Sequence, residues 1–379
     1  MSRENKSTKA VGIVAEFNPF HQGHGYLISR AKEEFPDAVI VSTMSGSFVQ
    51  RGGIAYFDKW HRAKTAVENG VDLVIELPVV YASSSSNYFA KGAVNLLEKI
   101  GCDTLAFGTE CDDVKVLKSV ADKLTYNMEK INHMMAIFMK DGSAYPSARE
   151  KALKEFITTE EMAVLSGSNN ILALDYILNN DKMKLFSIKR NGQGHHESGT
   201  RIREILYKNN PNFYAETEKN YFKMVVNSLI GRSREELIGI SGDEGLVNKL
   251  FKEFRYVKST DELILAVKSK GYTYTRISRL LAQILLGIKR DDADKFPGYI
   301  RVLALNGRGS RFLKAYLKGN GELPVISNIN KFYSHNPNVR RQLELDIKST
   351  DIFNIITGRD LYENSDYVQK PYYESNLDF

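Results

Sequence analysis

The first 110 residues repeat one pattern, in which a nearly continuous apolar run is followed by an amphipathic stretch with helical spacing. The runs are AVGIVAEF, DAVIVSTM, VDLVIELPVV and CDTLAFGT, and helices are predicted at 22–34, 57–69, 84–98 and from about Asp112. Strands that are apolar throughout are typical of a parallel sheet that is covered on both faces. The pattern therefore predicts an α/β fold with a Rossmann-like open parallel sheet.

The pattern of predicted secondary structure changes near residue 210. Residues 112–180 are predicted to be helical, and the short strand KLFSIKRN then precedes a glycine-rich loop and a helix that begins near Thr200. After the NNPN break at 209–212, the sequence predicts helices with only short extended pieces, RVLAL and PVISNI. We therefore expect a disordered leader at 1–9, an α/β domain at 10–210 and a mainly α-helical, basic domain at 211–379.

The clearest helix of the second half lies in TYTRISRLLAQILLG. Thr273 is its predicted N-cap, and Arg276 and Arg279 lie away from the centre of its apolar face. The apolar positions follow the i, i+3, i+4, i+7 spacing of one buried stripe. They are Ile277, Leu280, Leu281, Ile284 and Leu285.

Composition and charge limit the class of protein. The sequence has no long apolar run and no signal-peptide pattern, and its cysteines, Cys102 and Cys111, are too few for a disulfide framework. We therefore expect a soluble cytoplasmic protein with no membrane segment. The net charge of +6 divides into −3 for residues 1–180 and +9 for residues 181–379. A basic half favours a polyanionic partner such as nucleic acid, and an ordinary solvated face is the alternative.

Two histidines stand three residues apart in EFNPFHQGHGYLI, directly after the first predicted strand. In an open parallel sheet this loop lies where ligands bind, and it commonly presents phosphate to a helix N-terminus. His21 and His24 would share one helix face, and Gly23 permits close backbone approach. Their imidazoles can stabilise the charge that grows when an α-phosphate is attacked. A metal site completed by Glu16 and ordinary surface histidines are the alternatives.

Two motifs of this chain resemble those of a known superfamily. HQGH looks like the HxGH signature of the nucleotidylyltransferase superfamily, and SGTRIR, at 198–203, is similar to its second signature. The resemblance implies a sheet of the nucleotidylyltransferase type, with His21 and His24 bound around the α-phosphate of a nucleoside triphosphate. It also implies that Ser198, Thr200 and Arg203 contact the departing pyrophosphate, although SGT stands where a second Ser is common.

The likeness extends beyond these motifs. The segments MSGSFVQRG, DKWHRAKTAVENGVDLVIELP, FGTE, SNNILALDYI and RNGQGHHESGTRIRE resemble the bacterial tRNA(Met) cytidine acetate ligase family over most of residues 10–205, and more loosely to the end. The resemblance implies an ATP-dependent ligase that converts acetate to acetyl-adenylate and pyrophosphate. The resemblance further implies that the ligase transfers the acetyl group to N4 of the wobble cytidine of elongator tRNA(Met). Mg²⁺ is expected on the triphosphate, and no metal ion is expected on protein ligands alone.

The family's ATP contacts match one continuous segment and several separate residues of this sequence. The segment consists of Val14, Ala15, Glu16, Phe17, Asn18, Pro19, Phe20, His21, Gln22, Gly23, His24, Gly25, Tyr26 and Leu27. The separate residues are Gly108, Asn169 or Asn170, Arg190 and Asn191.

Three further residues have open interpretations. Arg51 and Lys59 are candidates for phosphate or acetate contacts and are equally typical of surface charges. The Trp60 side chain is expected to pack within the fold and not to stack on a base.

The basic second half is expected to bind the tRNA. NGRGSRFLKAYLKG places two arginines at a helix start after a Gly-x-Gly turn, where amides and cations suit an RNA phosphate. Aromatic and basic residues alternate in FKEFRYVK and INKFYSHNPNVRR, which is typical of base stacking, with closure of a helical core as the alternative. The predicted tRNA-binding residues are Arg276, Arg279, Arg308, Arg311, Arg340 and Arg341.

Two other functions stay open at this point. A small-molecule nucleotidylyltransferase of the pantetheine-phosphate or nicotinamide-mononucleotide type needs little beyond the α/β domain, so the long basic half argues against it. A nucleotide-sensing RNA-binding protein would use the same two halves without catalysis, and adenylate formation would exclude it.

Overall fold

One mixed sheet forms the centre of the molecule. The computed structural model describes residues 9–110, 114–143, 145–165, 167–189 and 198–375. The strands in these ranges are β1 (Ala10–Ala15), β2 (Val39–Ser45), β3 (Leu73–Leu77), β4 (Thr104–Thr109), β5 (Lys184–Lys189), β6 (Ile300–Asn306), β7 (Val325–Ile326) and β8 (Tyr372–Glu374). Their order is β5-β4-β1-β2-β3-β6-β7, with β8 also paired to β6.

The first five strands are parallel to one another, as the apolar runs predict. Strand β6 runs antiparallel to β3, while β7 and β8 run parallel to β6. All five residues of β3 are buried, which is why its sequence shows no alternation. The α/β class with a mostly parallel sheet is therefore confirmed.

The α-helices of the described ranges cover both faces of the sheet and build the second half. They are α1 (Gln22–Glu34), α2 (Lys59–Glu68), α3 (Val79–Ala82), α4 (Ser86–Ile100), α5 (Val114–Tyr126), α6 (Met128–Lys140), α7 (Tyr145–Leu153), α8 (Thr159–Val164), α9 (Ser168–Leu178), α10 (Gly199–Asn209), α11 (Pro211–Ile230), α12 (Arg234–Ser241), α13 (Glu244–Glu253), α14 (Thr260–Val267), α15 (Tyr274–Leu286), α16 (Gly307–Lys318) and α17 (Pro337–Thr357). None of the helices in these ranges is both long enough and apolar enough to cross a membrane.

The local boundaries follow from capping and from proline. Helix α1 has the predicted bounds, whereas α2 begins two residues late because the Asp58 side chain accepts a hydrogen bond from the His61 N–H and caps it. The run VDLVIELPVV is a strand only as far as Leu77, since Pro78 cannot donate to a ladder and Val79–Ala82 form a short helix.

The predicted stripe of α15 is confirmed. All five of its apolar residues are buried, and the Thr273 side chain accepts a hydrogen bond from the Arg276 N–H as the N-cap.

The two halves of the chain share the sheet. The predicted boundary between 210 and 211 falls between α10 and α11, and the division into domains stays a prediction. Strand β6 comes from the second half and pairs with β3 of the first, so that Arg301 lies opposite Glu76. The short extended piece RVLAL is therefore a strand of the central sheet.

Candidate active site

The two histidines cap helix α1 directly after β1. Nδ1 of His21 accepts a hydrogen bond from the Gly23 N–H at 3.1 Å, and Nδ1 of His24 accepts one from the His21 N–H at 3.2 Å. The two rings stack with their centroids 3.8 Å apart. Because each Nδ1 is an acceptor, the hydrogen-bond pattern assigns the proton of each neutral ring to Nε2. The helix therefore begins with two neighbouring imidazole donors.

The second motif begins helix α10 beside the first. The Ser198 hydroxyl is the N-cap and accepts a hydrogen bond from the Arg201 N–H at 3.3 Å. Arg203 donates from Nη1 to the Asn18 carbonyl oxygen at 2.6 Å and from Nη2 to the Thr200 hydroxyl at 3.2 Å. The guanidinium of the second motif therefore contacts the loop of the first.

The close approach of the two motifs involves a glycine. A Cβ atom at Gly199 would lie 3.3 Å from the Asn18 carbonyl oxygen and 3.7 Å from Cδ2 of His21. The N-termini of α1 and α10 thus converge, and each carries exposed amides and a partial positive charge. This arrangement suits a polyphosphate.

Positive charge accumulates at this junction. Burial lowers the pKa of the Arg203 guanidinium, the charge of Arg51 acts in the same direction, and the charge of Glu16 opposes both. Arg51 therefore lies within electrostatic reach of the second motif. Its predicted role in phosphate or acetate binding stays a prediction.

A buried arginine of α2 holds the loop that carries the first motif. Arg62 is 1% exposed. Its Nη1 donates to the carbonyl oxygens of Glu16 at 2.7 Å and Ser45 at 2.9 Å, and its other nitrogens donate to the carbonyls of Phe57 and Gly46. Burial lowers its pKa to about 10. The sequence gives no sign of this role, because an arginine in an amphipathic helix is typical of the solvent face.

Several residues of the predicted ATP segment also have structural roles. The Glu16 carboxylate accepts a hydrogen bond from the Gln50 N–H at 2.7 Å, and the Asn18 side chain accepts one from the Tyr56 N–H at 2.8 Å. Phe17 is buried with φ of 44°, a conformation that bulky residues rarely adopt and that is typical of functional loops. The loop between β1 and α1 is therefore held in one shape.

The end of β4 and the start of α9 form another side of the site. The Asn170 side chain is buried, and its oxygen accepts hydrogen bonds from the Thr109 hydroxyl at 2.8 Å and the Glu110 N–H at 2.9 Å. The neighbouring Asn169 amide is accessible and donates to the Glu110 carboxylate at 2.5 Å. Asn170 thus positions the strand beside Gly108, which leaves Asn169 as the candidate for a ligand contact.

Two predicted ATP contacts, Arg190 and Asn191, lie outside the described residues, as do most of the glycine-rich loop and Cys111. Cys102 is a buried thiol, as expected of a core cysteine.

Lys59 belongs to a buried ion cluster. Its ammonium lies 2.9 Å from the Glu76 carboxylate and 2.8 Å from that of Asp366, and the Arg301 guanidinium lies 3.3 Å from Asp366. Lys59 is 1% exposed, so it is neither a surface charge nor placed to contact a phosphate. The Trp60 ring packs 5.5 Å from the Arg301 guanidinium, which confirms the packing interpretation.

Two of the arginines predicted to bind tRNA form ion pairs with carboxylates. Arg276 pairs with Asp243 at 2.8 Å, and Arg341 pairs with Asp292 at 2.9 Å. Arg341 also donates to the Gly287 carbonyl at the end of α15. Both side chains therefore help to hold the helical half together.

Two other arginines predicted to bind tRNA, Arg308 and Arg311, lie on helix α16, near the amino ends of the strands. Arg308 donates to the Ala38 carbonyl at 2.7 Å, beside the amino ends of β2 and β3. Arg311 is exposed on the same helix. Since the histidines lie at the carboxyl ends, the structure does not bring these arginines to the site.

The last two arginines predicted to bind tRNA are Arg279, on helix α15 near the carboxyl ends of the strands, and Arg340, which is exposed. A Cβ atom at Gly52 would lie 2.5 Å from the Arg279 backbone nitrogen, so α15 packs against the loop that follows β2 at the carboxyl edge. Burial and the charge of Arg276 lower the pKa of Arg279. Arg340 is exposed and donates to the Tyr333 hydroxyl at 3.2 Å.

In the ranges that the structure describes, no three histidines, cysteines or carboxylates come together as a metal site. Glu16, the residue considered as a third ligand beside the histidines, accepts a backbone hydrogen bond instead. The Nδ1 atoms of His21 and His24 likewise accept backbone hydrogen bonds.

Comparison with known proteins shows likeness over nearly the whole chain. The sequence model of the HIGH Nucleotidyl Transferase family matches residues 8–367. The tRNA(Met) cytidine acetate ligase of Clostridium perfringens is 32% identical over 95% of this chain and 98% of its own, and that of Clostridium kluyveri is 34% identical over 96% and 98%. The crystal structure of Thermotoga maritima TmcAL bound with alpha-thio ATP has a TM-score of 0.86 and 26% identity, covering 97% of this chain and 100% of its own.

Proposed function

The chain belongs to the HIGH nucleotidyl transferase family and to the tRNA(Met) cytidine acetate ligases, and on that premise we propose how its residues divide the reaction. The protein activates acetate with ATP as acetyl-adenylate and transfers the acetyl group to N4 of the wobble cytidine of elongator tRNA(Met). The observation that carries this assignment is the convergence of the two helix N-termini at His21, His24 and Arg203. The relatives' names and the neighbour's bound ATP analogue support it.

In the first step an acetate oxygen attacks the α-phosphorus of ATP, and the bond to pyrophosphate breaks. Acetate is a weak nucleophile, so catalysis depends on positioning and charge compensation. The Nε2–H groups of His21 and His24 face the α-phosphate oxygens and stabilise the charge that develops there. Ser198, Thr200 and Arg203 bind the departing pyrophosphate at the start of α10.

The remaining ATP contacts lie along the carboxyl ends of β1 and β4, where Phe20, Gly108 and Asn169 are partly exposed. Mg²⁺ bound to the triphosphate would neutralise part of its charge. It prefers oxygen ligands, and the described residues offer no carboxylate cluster at the site, so the nucleotide's own oxygens would hold it.

Arg203→Met is expected to lower acetate-dependent exchange of pyrophosphate into ATP by about 100-fold, because it removes a cation from the leaving group. Arg201→Met is the matched control, since Arg201 is exposed on the same helix. Equal exchange by both variants would contradict the role of Arg203.

We propose that the second substrate, elongator tRNA(Met), binds to the basic second half and that the protein is cytoplasmic. Arg279 and Arg340 are the predicted residues best placed to contact RNA phosphates, since Arg279 adjoins the carboxyl edge and Arg340 is exposed. Arg276, Arg308 and Arg341 are engaged in holding the fold.

Arg279→Ala should weaken tRNA binding and reduce the slope of log K against log salt by roughly 0.7 to 0.9, the value of one lost phosphate contact. Filter binding at several salt concentrations measures it. Arg30→Ala, which removes an exposed arginine of α1, is the control and should leave the slope unchanged. An unchanged slope for Arg279→Ala would exclude this residue from the tRNA surface.

The whole reaction is tested by incubating the protein with ATP, labelled acetate and elongator tRNA(Met), followed by mass spectrometry of the nucleosides. We expect N4-acetylcytidine in the tRNA, and loss of this nucleoside from cells that lack the protein. Nucleotide transfer to a small phosphate ester, with unmodified tRNA, would favour the small-molecule nucleotidylyltransferase instead.

A further inference from the structure

A cluster of tyrosines surrounds one glutamate next to the two motifs. The tyrosine cluster consists of Tyr207 of α10, Tyr214 and Tyr221 of α11, and Tyr274 of α15. The rings of Tyr207 and Tyr214 lie 4.4 Å apart. Glu218 follows Tyr214 by four residues and precedes Tyr221 by three, so these side chains share one face of α11.

The Glu218 side chain lies on the face of α11 that carries Tyr214 and Tyr221, and its charge acts on the neighbouring phenols. Burial and then the charge of Glu218 raise the pKa values of Tyr207, Tyr214 and Tyr221. Burial and Asp261 are the larger causes at Tyr274, where Glu218 acts in the same direction. The negative charge of Glu218 therefore acts on all four tyrosines of the cluster.

The tyrosine cluster adjoins the adenylation site. Tyr207 lies one helical turn after Arg203 on α10, about 6 Å along the axis. Its ring is 5.0 Å from that of Tyr56, and the Tyr56 N–H donates to the Asn18 side chain of the first motif at 2.8 Å. A group that contacts Tyr207 or Tyr214 is thus close to the residues of both motifs.

Glu218 has no protein cation beside it in the part of the chain that the structure describes. Burial raises the pKa of this half-buried carboxyl, and the charge of Asp261 adds to the effect. Nearby, the Tyr221 hydroxyl is buried without a hydrogen-bond partner among the described residues. Buried polar groups are normally paired, so this site is suited to a ligand with N–H donors.

Cytosine has the complementary chemistry. Its N4 amino group donates to carboxylates, and unpaired RNA bases stack on aromatic side chains. We propose that the tyrosine cluster receives the wobble cytosine, which stacks on the exposed ring of Tyr214 and donates from its N4 amino group to the Glu218 carboxylate. This inference rests on the proposed function and identifies the acceptor subsite of the same reaction.

Glu218 then acts as the general base of acetyl transfer. The N4 lone pair attacks the acetyl carbonyl carbon, the C–N bond forms, and the bond between that carbon and the phosphate oxygen of AMP breaks. AMP leaves with the electron pair of that bond. The N4 proton passes to the Glu218 carboxylate and from there to water.

Glu218→Gln separates the two steps of the reaction. We expect acetate-dependent exchange of pyrophosphate into ATP within about twofold of wild type, while acetyl transfer to tRNA falls at least about 100-fold, the usual contribution of a general base. The tRNA affinity should stay within about threefold, because phosphate contacts dominate it. Glu216→Gln, on the exposed side of the same helix, is the matched control and should transfer normally.

Thermal melting of Glu218→Gln and one further variant, Tyr214→Ala, distinguish a loss of function from misfolding. Glu218→Gln removes a desolvated charge next to Asp261, so its melting temperature should not fall. Tyr214→Ala truncates an exposed ring and should lower transfer about tenfold through lost stacking, with exchange again preserved. Transfer at the wild-type rate by Glu218→Gln, or equal loss of exchange and transfer, would overturn the proposal. A wild-type protein without exchange would instead overturn the proposed function.

Discussion

His21→Ala and His24→Ala are each expected to lower acetate-dependent exchange of pyrophosphate into ATP about 100- to 1,000-fold, the usual effect of removing one preorganised donor from a developing negative charge. The two rings stack 3.8 Å apart at the start of α1, so that each presents a donor to one point. Exchange assays with labelled pyrophosphate measure the loss. Arg30→Ala is the control, because Arg30 lies on the same helix outside the ATP segment and is exposed in a pair with Glu33.

His21 also caps α1, so its replacement by alanine is expected to cost about 1 kcal/mol of stability. His21→Asn separates the two roles, since asparagine is a good N-cap but places no donor at the position of Nε2. We expect His21→Asn to melt like wild type and to be as inactive as His21→Ala. Recovery of exchange in His21→Asn would show that the cap, and not the imidazole, is what the reaction requires.

Lys59→Met is expected to lower the free energy of unfolding by about 3 to 5 kcal/mol, because it removes the cation that Glu76 and Asp366 share and leaves Arg301 alone beside two buried carboxylates. Denaturant titration measures the change. Lys64→Met is the control, since Lys64 lies on the same helix in an exposed pair with Glu68 at 3.8 Å and should cost at most about 1 kcal/mol.

The sign of the pH dependence follows from the same contacts. Burial would lower the pKa of Lys59, but the charges of Asp366 and Glu76 outweigh it, so the pKa is raised. A raised pKa in the folded state means that the Lys59 charge stabilises the protein at neutral pH and loses this contribution only at strongly alkaline pH. Burial also raises the pKa of the Glu76 carboxyl, and this opposes part of the gain at neutral pH. Equal stability of Lys59→Met and wild type at pH 7 would show that the cluster adds nothing to the fold.

The parts of the fold that could be predicted from the sequence are those encoded locally. Continuous apolar runs identified β1 to β4, and helical spacing identified α1 and the buried stripe of α15. The placement of HQGH after the first strand was also sufficient to put both histidines at a helix N-terminus. Each of these inferences needs only neighbours within about two turns of chain.

The parts that could not be predicted depend on distant partners. Lys59 is bonded to Asp366, which is 307 residues away, and nothing near Lys59 indicates a buried cation. Arg62 hydrogen-bonds to backbone carbonyls, which no sequence pattern marks. Likewise RVLAL reads as a short extended piece, and only the fold shows that it pairs with β3.

The arginines of the second half illustrate the limit of charge counting. The excess of basic residues predicts a polyanionic partner, but it does not separate arginines that hold the fold from those available to RNA. Arg276 and Arg341 pair with carboxylates that lie 33 and 49 residues away along the chain. Only the three-dimensional contacts leave Arg279 and Arg340 as the stronger candidates.

Incubation of the wild-type protein with ATP and labelled pyrophosphate, without tRNA, isolates the activation of acetate from every later step. We predict that label enters ATP when acetate is added and that it does not enter without acetate, because adenylate formation at His21 and His24 requires the carboxylate as the attacking group. Exchange that is independent of acetate, or no exchange in its presence, would contradict acetyl-adenylate formation at this site.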